Sequence, residues 1–259
     1  MRLLAHSTAA TVVLMLIAAP IARSQTLDRP KNEIEVRGVL SIPSGDASFS
    51  SNGVAGSEIS FSRDFDFRSE LGFEFRFTHR TPDGKHKFQA GYGQTTWNRD
   101  TTLSRSFTFR GETFVANLDA SANLRLSNFR AMYAYRWGNE KFRIGPMGDM
   151  GVVSTRLNIT GTTNNGTRSG SGKITKFAAT LGYDLDYDPT DRINIFNNLG
   201  AIAFQGERLF HTEAGIRIFA TRNFGFTGGY KFERYRVEKD DDFLRINAHG
   251  PFFGGVFRF

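Results

Sequence analysis

Hydrophobic and polar residues alternate along most of this 259-residue chain. In the stretch 224–233, aromatic residues and glycine hold one set of alternate positions, and Thr, Gly, Lys and Glu hold the other. A helix would mix the two sets on its surface, whereas an extended strand places them on opposite faces. The same alternation recurs in 70–77, 87–92, 130–137 and 177–187. The pattern therefore predicts an all-β protein whose strands have one apolar face.

Strand length and the chemistry of the two faces favour a membrane barrel over a soluble sheet. The longer alternating segments match the roughly 9–11 residues that a tilted strand needs to cross a bilayer, whereas strands of soluble sheets are usually about 5–6 residues long. The apolar face holds Phe, Tyr, Leu and Ala, as a lipid-facing surface with aromatic belts does. The polar face mixes glycine with charges of both signs, which fits a crowded lumen containing water. A soluble sandwich or jelly roll is the alternative.

Turns and connections predict the number of strands. Tight turns are expected at 81–84, 138–140, 188–191 and 221–223, each between two alternating runs. Longer connections are expected at 43–67, 98–112, 154–172, 205–208 and 238–242, with a turn at Arg110-Gly111 inside the second. Transmembrane barrels have short inner turns and longer outer loops. We therefore predict a closed antiparallel up-and-down β-barrel of about ten strands, with eight as the alternative.

The N-terminal segment predicts export. The basic start at Met1-Arg2 precedes a mostly apolar run over 9–22, and Ala22-Arg23-Ser24 has small residues where a signal peptidase reads. The run is shorter than the roughly 20 residues of a spanning helix. We predict a cleaved signal peptide over 1–24 and a single barrel domain over 25–259. The net charge of +7 is spread along the chain, so no nucleic-acid partner is expected. The chain has no cysteine, so the domain must be stable without disulfides.

The last residues, Gly254-Gly255-Val256-Phe257-Arg258-Phe259, resemble the C-terminal signal of bacterial outer-membrane barrels. That signal ends in an aromatic residue, with a hydrophobic residue two positions earlier and a glycine further back. The family usually has a polar residue before this glycine, where the chain has Phe252-Phe253. The chain thus resembles the class of small outer-membrane barrels of Gram-negative bacteria.

This resemblance implies an outer-membrane location and several partners. The class implies contact with outer-membrane lipids and lipopolysaccharide, and recognition by the barrel-assembly machinery during biogenesis. The final strand should lie beside the first, around 34–42, with Phe257 and Phe259 in the periplasmic aromatic belt and Arg258 turned towards the lumen. A monomer is favoured over other oligomeric states.

Two pairs of residues come nearest to catalytic chemistry. The omptin proteases are ten-stranded barrels with an acid pair and an Asp/His pair, and the nearest features here are Asp64 with Asp66, and His211 with Glu213. Asp64 and Asp66 share a face if the segment is extended, and His211 and Glu213 should both face the lumen, where a base could activate water. Glu replaces Asp in the second pair, and the order is reversed. Lipid A deacylase barrels use a His-x-Ser motif. The nearest feature here is His211-Thr212-Glu213, in which Thr212 should face lipid and His211 should face the lumen. We predict no catalytic, cofactor-binding or metal site.

Charged residues predict a filled lumen. Opposite charges in a confined space should pair, and small barrels are nearly filled by their side chains. The residues expected to point inward are Glu70, Glu74, Arg76, Lys87, Arg130, Arg136, Asp184, Asp186, Glu213, Arg217, Lys231 and Glu233. The outer loops carry further arginines that are candidates for binding lipopolysaccharide phosphates: Arg63, Arg68, Arg99, Arg105, Arg110 and Arg168.

The sequence thus favours a non-enzymatic outer-membrane barrel with a structural or surface-interaction role, or a narrow channel. The alternatives are an outer-membrane hydrolase that acts on peptide or lipid A, and a channel for small solutes or hydrophobic compounds. No sequence feature identifies a ligand.

Overall fold

The computed structural model describes residues 31–51, 53–163, 166–204, 207–239 and 241–259. The predicted signal peptide, 1–24, lies outside the described residues. Within these ranges the regular structure consists of strands, and no helix is long and apolar enough to span a membrane.

Ten antiparallel strands form a closed barrel, which confirms the predicted fold. They are β1 (Asn32–Ser48), β2 (Glu70–Arg80), β3 (His86–Thr102), β4 (Asp119–Tyr135), β5 (Phe142–Thr163), β6 (Gly166–Thr190), β7 (Ile193–Phe204), β8 (Glu207–Phe219), β9 (Phe224–Lys239) and β10 (Asp242–Arg258). Each pairs with its neighbours in sequence, and β10 also pairs with β1. Short strand segments lie outside this set at Ile59–Ser60, Phe107–Phe109, Glu112–Phe114 and Trp137–Gly138.

The closing strand lies where the sequence predicts. Ile34 of β1 is opposite Phe257 of β10. Phe257 and Phe259 are exposed and stack at 6.0 Å, while the Nε atom of Arg258 lies 3.2 Å from a carboxylate oxygen of the buried Glu33. The aromatic rings therefore face outward, and the charge between them faces the lumen.

The predicted tight turns join the strands at one end, with one shift. The turn at 81–84 has Gly84 in the left-handed region, at φ 65°. The turn predicted at 188–191 lies further along, at Asp191 and Arg192, because β6 continues to Thr190. A β-bulge between Tyr187 and Thr190 accommodates Pro189, which has no backbone N–H to donate.

The prediction of a loop over 154–172 is wrong. β5 and β6 pair continuously from Phe142 opposite Tyr187 to Thr163 opposite Gly166. The Ser, Thr, Gly and Asn residues of this segment form a long hairpin rather than an irregular connection. The first predicted loop also starts late, because β1 extends to Ser48. The turn at Arg110 and Gly111 is confirmed, with φ angles of 52° and 80°.

The apolar face of the strands changes side along the barrel. At the short-turn end of β4 the outward residues are the apolar or aromatic Phe129, Tyr133 and Tyr135. Towards the other end Leu124 and Leu126 point inward and are buried, while polar residues point outward. Side chains alternate strictly in a strand, so this inversion needs no change of register. The short-turn half thus has a lipid-facing surface, and the other half has a water-facing one.

Aromatic side chains fill the interior of the water-facing half. We call this half, together with the loops 49–51, 53–69 and 103–118, the cap. One apolar core lies inside it, formed by these loops and by the inner face of the strands. Its buried phenylalanines are Phe49, Phe61, Phe65, Phe67, Phe107, Phe109 and Phe114. The buried Trp97 packs into the same core, and its Nε1 donates a hydrogen bond of 2.8 Å to the carbonyl of Ser41. This end of the lumen is therefore filled by a hydrophobic core. The expectation of a water-containing lumen does not apply to this half of the barrel.

We predict that Phe61→Ala destabilises the barrel strongly. Phe61 is fully buried in the cap, and truncation of a buried Phe costs about 3–5 kcal/mol because it removes apolar contacts and leaves a cavity. Urea unfolding of the detergent-folded protein measures this free energy. Val115→Ala is the control, since this half-exposed residue follows Phe114 and its loss should cost within about 0.5 kcal/mol. Equal effects of the two substitutions would show that the cap is not a folded core.

Candidate functional site

Charged side chains fill the lumen of the lipid-facing half, as the sequence predicts. Of the predicted inward residues, Glu70 and Arg130 are partly buried and all the others are buried. The prediction omits Glu33, Glu35 and Arg37, although they alternate with Ile34 and Val36 on the polar face of β1. It also omits the buried Asp149. The polar face of β5 carried little signal, because Gly and Met surround this acid at alternate positions.

Glu213 is the centre of the part of this network that lies nearer the cap. Its two carboxylate oxygens accept hydrogen bonds of 2.8 and 2.6 Å from Arg37 and of 2.9 and 2.8 Å from Arg76. Arg76 also contacts Glu74 at 2.9 Å, and Lys231 contacts the other oxygen of Glu74 at 3.1 Å. Paired guanidinium–carboxylate contacts of this kind are strong and directional. The network thus joins β1, β2, β8 and β9 across the lumen.

A second group of ion pairs lies nearer the short turns. The ammonium of Lys87 lies 2.8 Å from Asp184 and 3.4 Å from Asp186, and Arg136 also contacts Asp186. Arg217 contacts Glu35 at 2.9 Å and Glu33 at 3.3 Å. These contacts leave little free volume inside the barrel. Two lumen cavities that adjoin Lys231 have volumes of about 30 Å³ each, room for about two water molecules apiece.

The predicted partners His211 and Glu213 both face the lumen but do not pair. The Nε2 atom of His211 lies 3.2 Å from a carboxylate oxygen of Asp149, which also accepts a 2.7 Å hydrogen bond from Thr180. The Nδ1 atom of His211 is buried without a hydrogen-bond partner among the described residues. Thr212 faces away from the lumen charges, and its hydroxyl donates to the carbonyl of Asn198 at 3.0 Å.

The predicted shared face of Asp64 and Asp66 is wrong. The chain turns at 61–65, and Asp66 is left-handed at φ 47°, so Asp64 is buried and Asp66 is exposed. Asp64 accepts hydrogen bonds of 2.8 and 2.6 Å from Arg105 and one of 2.7 Å from the amide of Ser60. Burial alone would raise the pKa of Asp64, but these hydrogen bonds outweigh it and hold the pKa below its usual value. The ionised Asp64 therefore links the loop 53–69 to the loop 103–118 through Arg105.

Each loop arginine predicted to bind phosphate lies within 4.0 Å of a carboxylate. The nitrogen–oxygen distances are 3.5 Å for Arg63–Asp64, 3.7 Å for Arg68–Asp66, 3.1 Å for Arg99–Asp66, 2.6 Å for Arg105–Asp64, 2.9 Å for Arg110–Asp242 and 3.8 Å for Arg168–Glu112. Arg99, Arg105, Arg110 and Arg168 contact acids of other segments, whereas Arg63 and Arg68 contact acids one and two residues away. The six arginines share four carboxylates, so their charge is offset in part. In the described part of the chain, no three His, Asp or Glu side chains are grouped to hold a metal ion.

We predict that Glu213→Ala destabilises the barrel by about 3–5 kcal/mol, because it removes the carboxylate that accepts four hydrogen bonds from the buried guanidinium groups of Arg37 and Arg76. Urea unfolding of the folded protein measures the change. Glu238→Ala is the matched control, since Glu238 is an exposed acid 3.0 Å from Arg236, and loss of such a surface pair costs about 0–1 kcal/mol. A barrel that tolerates both substitutions equally would contradict a central role of Glu213.

Comparisons with known proteins agree with this geometry at the level of the fold. No protein-family model matches the chain, and no curated protein matches it by sequence. Among solved structures it is similar to the outer membrane protease OmpT from Escherichia coli, with a TM-score of 0.59 and 9% identity, covering 91% of this chain and 99% of that one. It is also similar to the translocator domain of the autotransporter NalP from Neisseria meningitidis, with a TM-score of 0.50, 10% identity and 90% of each chain covered. The fold is that of a small bacterial outer-membrane β-barrel.

Proposed function

We propose that this protein is a closed, non-enzymatic barrel of the bacterial outer membrane that presents a rigid water-facing cylinder for interactions at the cell surface. The observation that carries this proposal is the inversion of the strand faces. Short turns face the periplasm in this class of barrel, so the end with the long hairpins lies outside the cell. There the strands bury apolar residues inward and expose polar residues to water.

The size and the surface of the external cylinder support an interaction role. β5 continues for eleven residues from the lipid-facing Val152 to Thr163, about 36 Å along the strand at about 3.3 Å per residue. Its outer surface carries a ladder of polar groups across neighbouring strands. Asn123 donates to Asn98 at 2.6 Å, Asn158 donates to Asn123 at 3.4 Å and Ser171 donates to Asn158 at 2.7 Å. Such an ordered polar wall is more than the anchoring of a barrel in lipid requires.

Two barriers in series favour a closed lumen over a channel. The ion pairs of Glu213 and Asp186 cross the lipid-facing half, and the apolar cap fills the half outside. Passage of a hydrated ion would require both the separation of paired charges and the entry of a charge into a hydrophobic core. We therefore favour the surface role over the narrow channel and over a channel for small solutes or hydrophobic compounds.

We predict that the folded protein produces no stepwise conductance in a planar lipid bilayer. Protease protection of the reconstituted barrel verifies insertion independently, so that a lack of conductance is not due to a lack of protein in the bilayer. The matched control replaces residues 57–67 by a Gly-Ser linker and carries Arg37→Ala, Arg76→Ala and Glu213→Ala, which weakens both barriers by removing most of one cap loop and the ion pairs of Glu213. Steps from the control alone support the closed barrel. Steps from the unmodified protein would overturn it and restore the channel.

One observation favours the hydrolase alternative. His211 and Asp149 lie 3.2 Å apart, a distance at which an acid can orient a histidine base. Both side chains are buried, however, and the adjoining cavity of about 30 Å³ is far smaller than a peptide or an acyl chain. The enclosed geometry supports a structural role of this pair, alongside the other lumen charges.

We predict that the folded protein does not cleave a peptide library or deacylate lipid A, and that His211→Ala behaves identically in both assays. Mass spectrometry of the products measures both activities. Thr212→Ala serves as the control, because Thr212 is adjacent in sequence but faces away from the lumen charges. Turnover that persists in Thr212→Ala and disappears in His211→Ala would establish a hydrolase.

A further inference from the structure

Three basic residues lie side by side on the outer wall of the barrel. Arg125 of β4 is opposite Arg156 of β5, and Arg156 is opposite Lys173 of β6. All three side chains are exposed. Cβ atoms of directly opposite residues in an antiparallel sheet are about 4.5–5.5 Å apart. The Cβ atoms of the three basic residues therefore lie within about 10 Å of one another. We call these residues the cation row.

The cation row has no partner among the described residues. No hydrogen bond or ion pair joins these three side chains to any described residue, whereas every loop arginine considered above contacts a carboxylate. Like charges directly opposite each other destabilise a sheet. The arrangement therefore has an electrostatic cost that an external anion among the three side chains would offset.

Polar groups flank the cation row on both sides. Ser127, Ser154 and Thr175 form the next outward row towards the membrane, and the hydroxyls of Ser154 and Thr175 lie 2.9 Å apart. The next outward row on the other side is the amide and hydroxyl ladder of Asn123, Asn158 and Ser171. Hydroxyls and amides beside paired guanidinium groups suit phosphate oxygens and sugar hydroxyls.

The height of the cation row on the barrel identifies the source of the anion. Phe129, Val152 and Phe177 form the outward row four residues nearer the short turns, and all three are exposed apolar residues of the lipid-facing surface. Four residues correspond to about 13 Å along a strand, or about 10 Å along the bilayer normal for a strand tilted by about 40°. The polar layer of a bilayer extends about 5–8 Å beyond the hydrocarbon, so long basic side chains at this height reach its phosphates.

We propose that Arg125, Arg156 and Lys173 bind the phosphorylated headgroup of a glycolipid in the outer leaflet, of the lipopolysaccharide class. The acyl chains of this lipid would lie against the apolar row of Phe129, Val152 and Phe177. The guanidinium groups of Arg125 and Arg156 can each donate two parallel hydrogen bonds to a phosphate, and Lys173 supplies a third charge. The proposal rests on the outward orientation of the long hairpins given under the proposed function.

The test compares binding of bisphosphorylated lipid A to the folded protein and to a triple variant, Arg125→Gln, Arg156→Gln and Lys173→Gln. Native mass spectrometry in detergent measures the affinity. Basic residues near an anionic membrane surface contribute about 1 kcal/mol each, so the triple variant should bind on the order of 100-fold more weakly. The matched control, Lys85→Gln, Lys141→Gln and Arg192→Gln, removes the same charge at the short-turn end and should bind like the unmodified protein.

Further arms separate lipid recognition from general anion binding. Lys173→Arg keeps the charge and should retain affinity, and circular dichroism verifies that each variant is folded. If the triple variant does not fold, the three single variants replace it, each with a smaller loss expected. Unchanged lipid A affinity in the triple or single variants would overturn the proposal. So would equally tight binding of dephosphorylated lipid A, or equally tight binding of inorganic phosphate alone.

This test and the conductance test fail independently. A barrel that gives no conductance steps and does not bind lipid A would contradict the lipid site alone. A conducting barrel that binds lipid A through the cation row would contradict the closed lumen alone.

Discussion

Backbone hydrogen bonding in a medium without water is the constraint on which the rest of this structure depends. A bilayer offers no donor or acceptor to a free sheet edge, so a strand protein can span it only as a closed sheet. Here the pairing of β10 with β1 satisfies that requirement, with Ile34 opposite Phe257 and Ser48 opposite Phe243 at the other end. Once the sheet is closed, every side chain points either outward or inward.

Closure also explains why two opposite distributions of polarity coexist in one strand. The strict alternation of side chains assigns each residue to a face, while the surroundings of that face change from lipid to water along the strand. In β4 the outward residues therefore change from Phe129 to Arg125, and the inward residues change from Arg130 to Leu124. The lipid-facing half must hold its polar residues inside, whereas the water-facing half can bury its apolar residues there.

The charges inside the lipid-facing half follow from the same geometry. Burial of an ion costs several kcal/mol, and paired charges with additional hydrogen bonds offset that cost. Glu213 lies between Arg37 and Arg76 in such an arrangement, and these partners come from strands far apart in sequence. Because a fold of this class hosts many different roles, the filled lumen and the polar outer wall bear more directly on the proposed function than the resemblance to other barrels does.

Local pattern by itself determined the strands of the lipid-facing half, their apolar faces, the closing strand and most of the lumen charges. These features depend on a period of two and on turn chemistry, which operate between residues near each other in the chain. The long β5–β6 hairpin was misread because its Ser, Thr and Gly residues have the composition of a loop, and only pairing over the whole hairpin makes it a strand.

Partnership between distant residues was decided only by the tertiary structure. Asp149 meets His211, and Arg105 meets Asp64, because strand register and loop packing bring them together. The same is true of Arg125, Arg156 and Lys173, which stand in one row only through the register of three strands. Alternation indicates which side of a strand a residue occupies, but not its height on the barrel or its neighbour across the sheet.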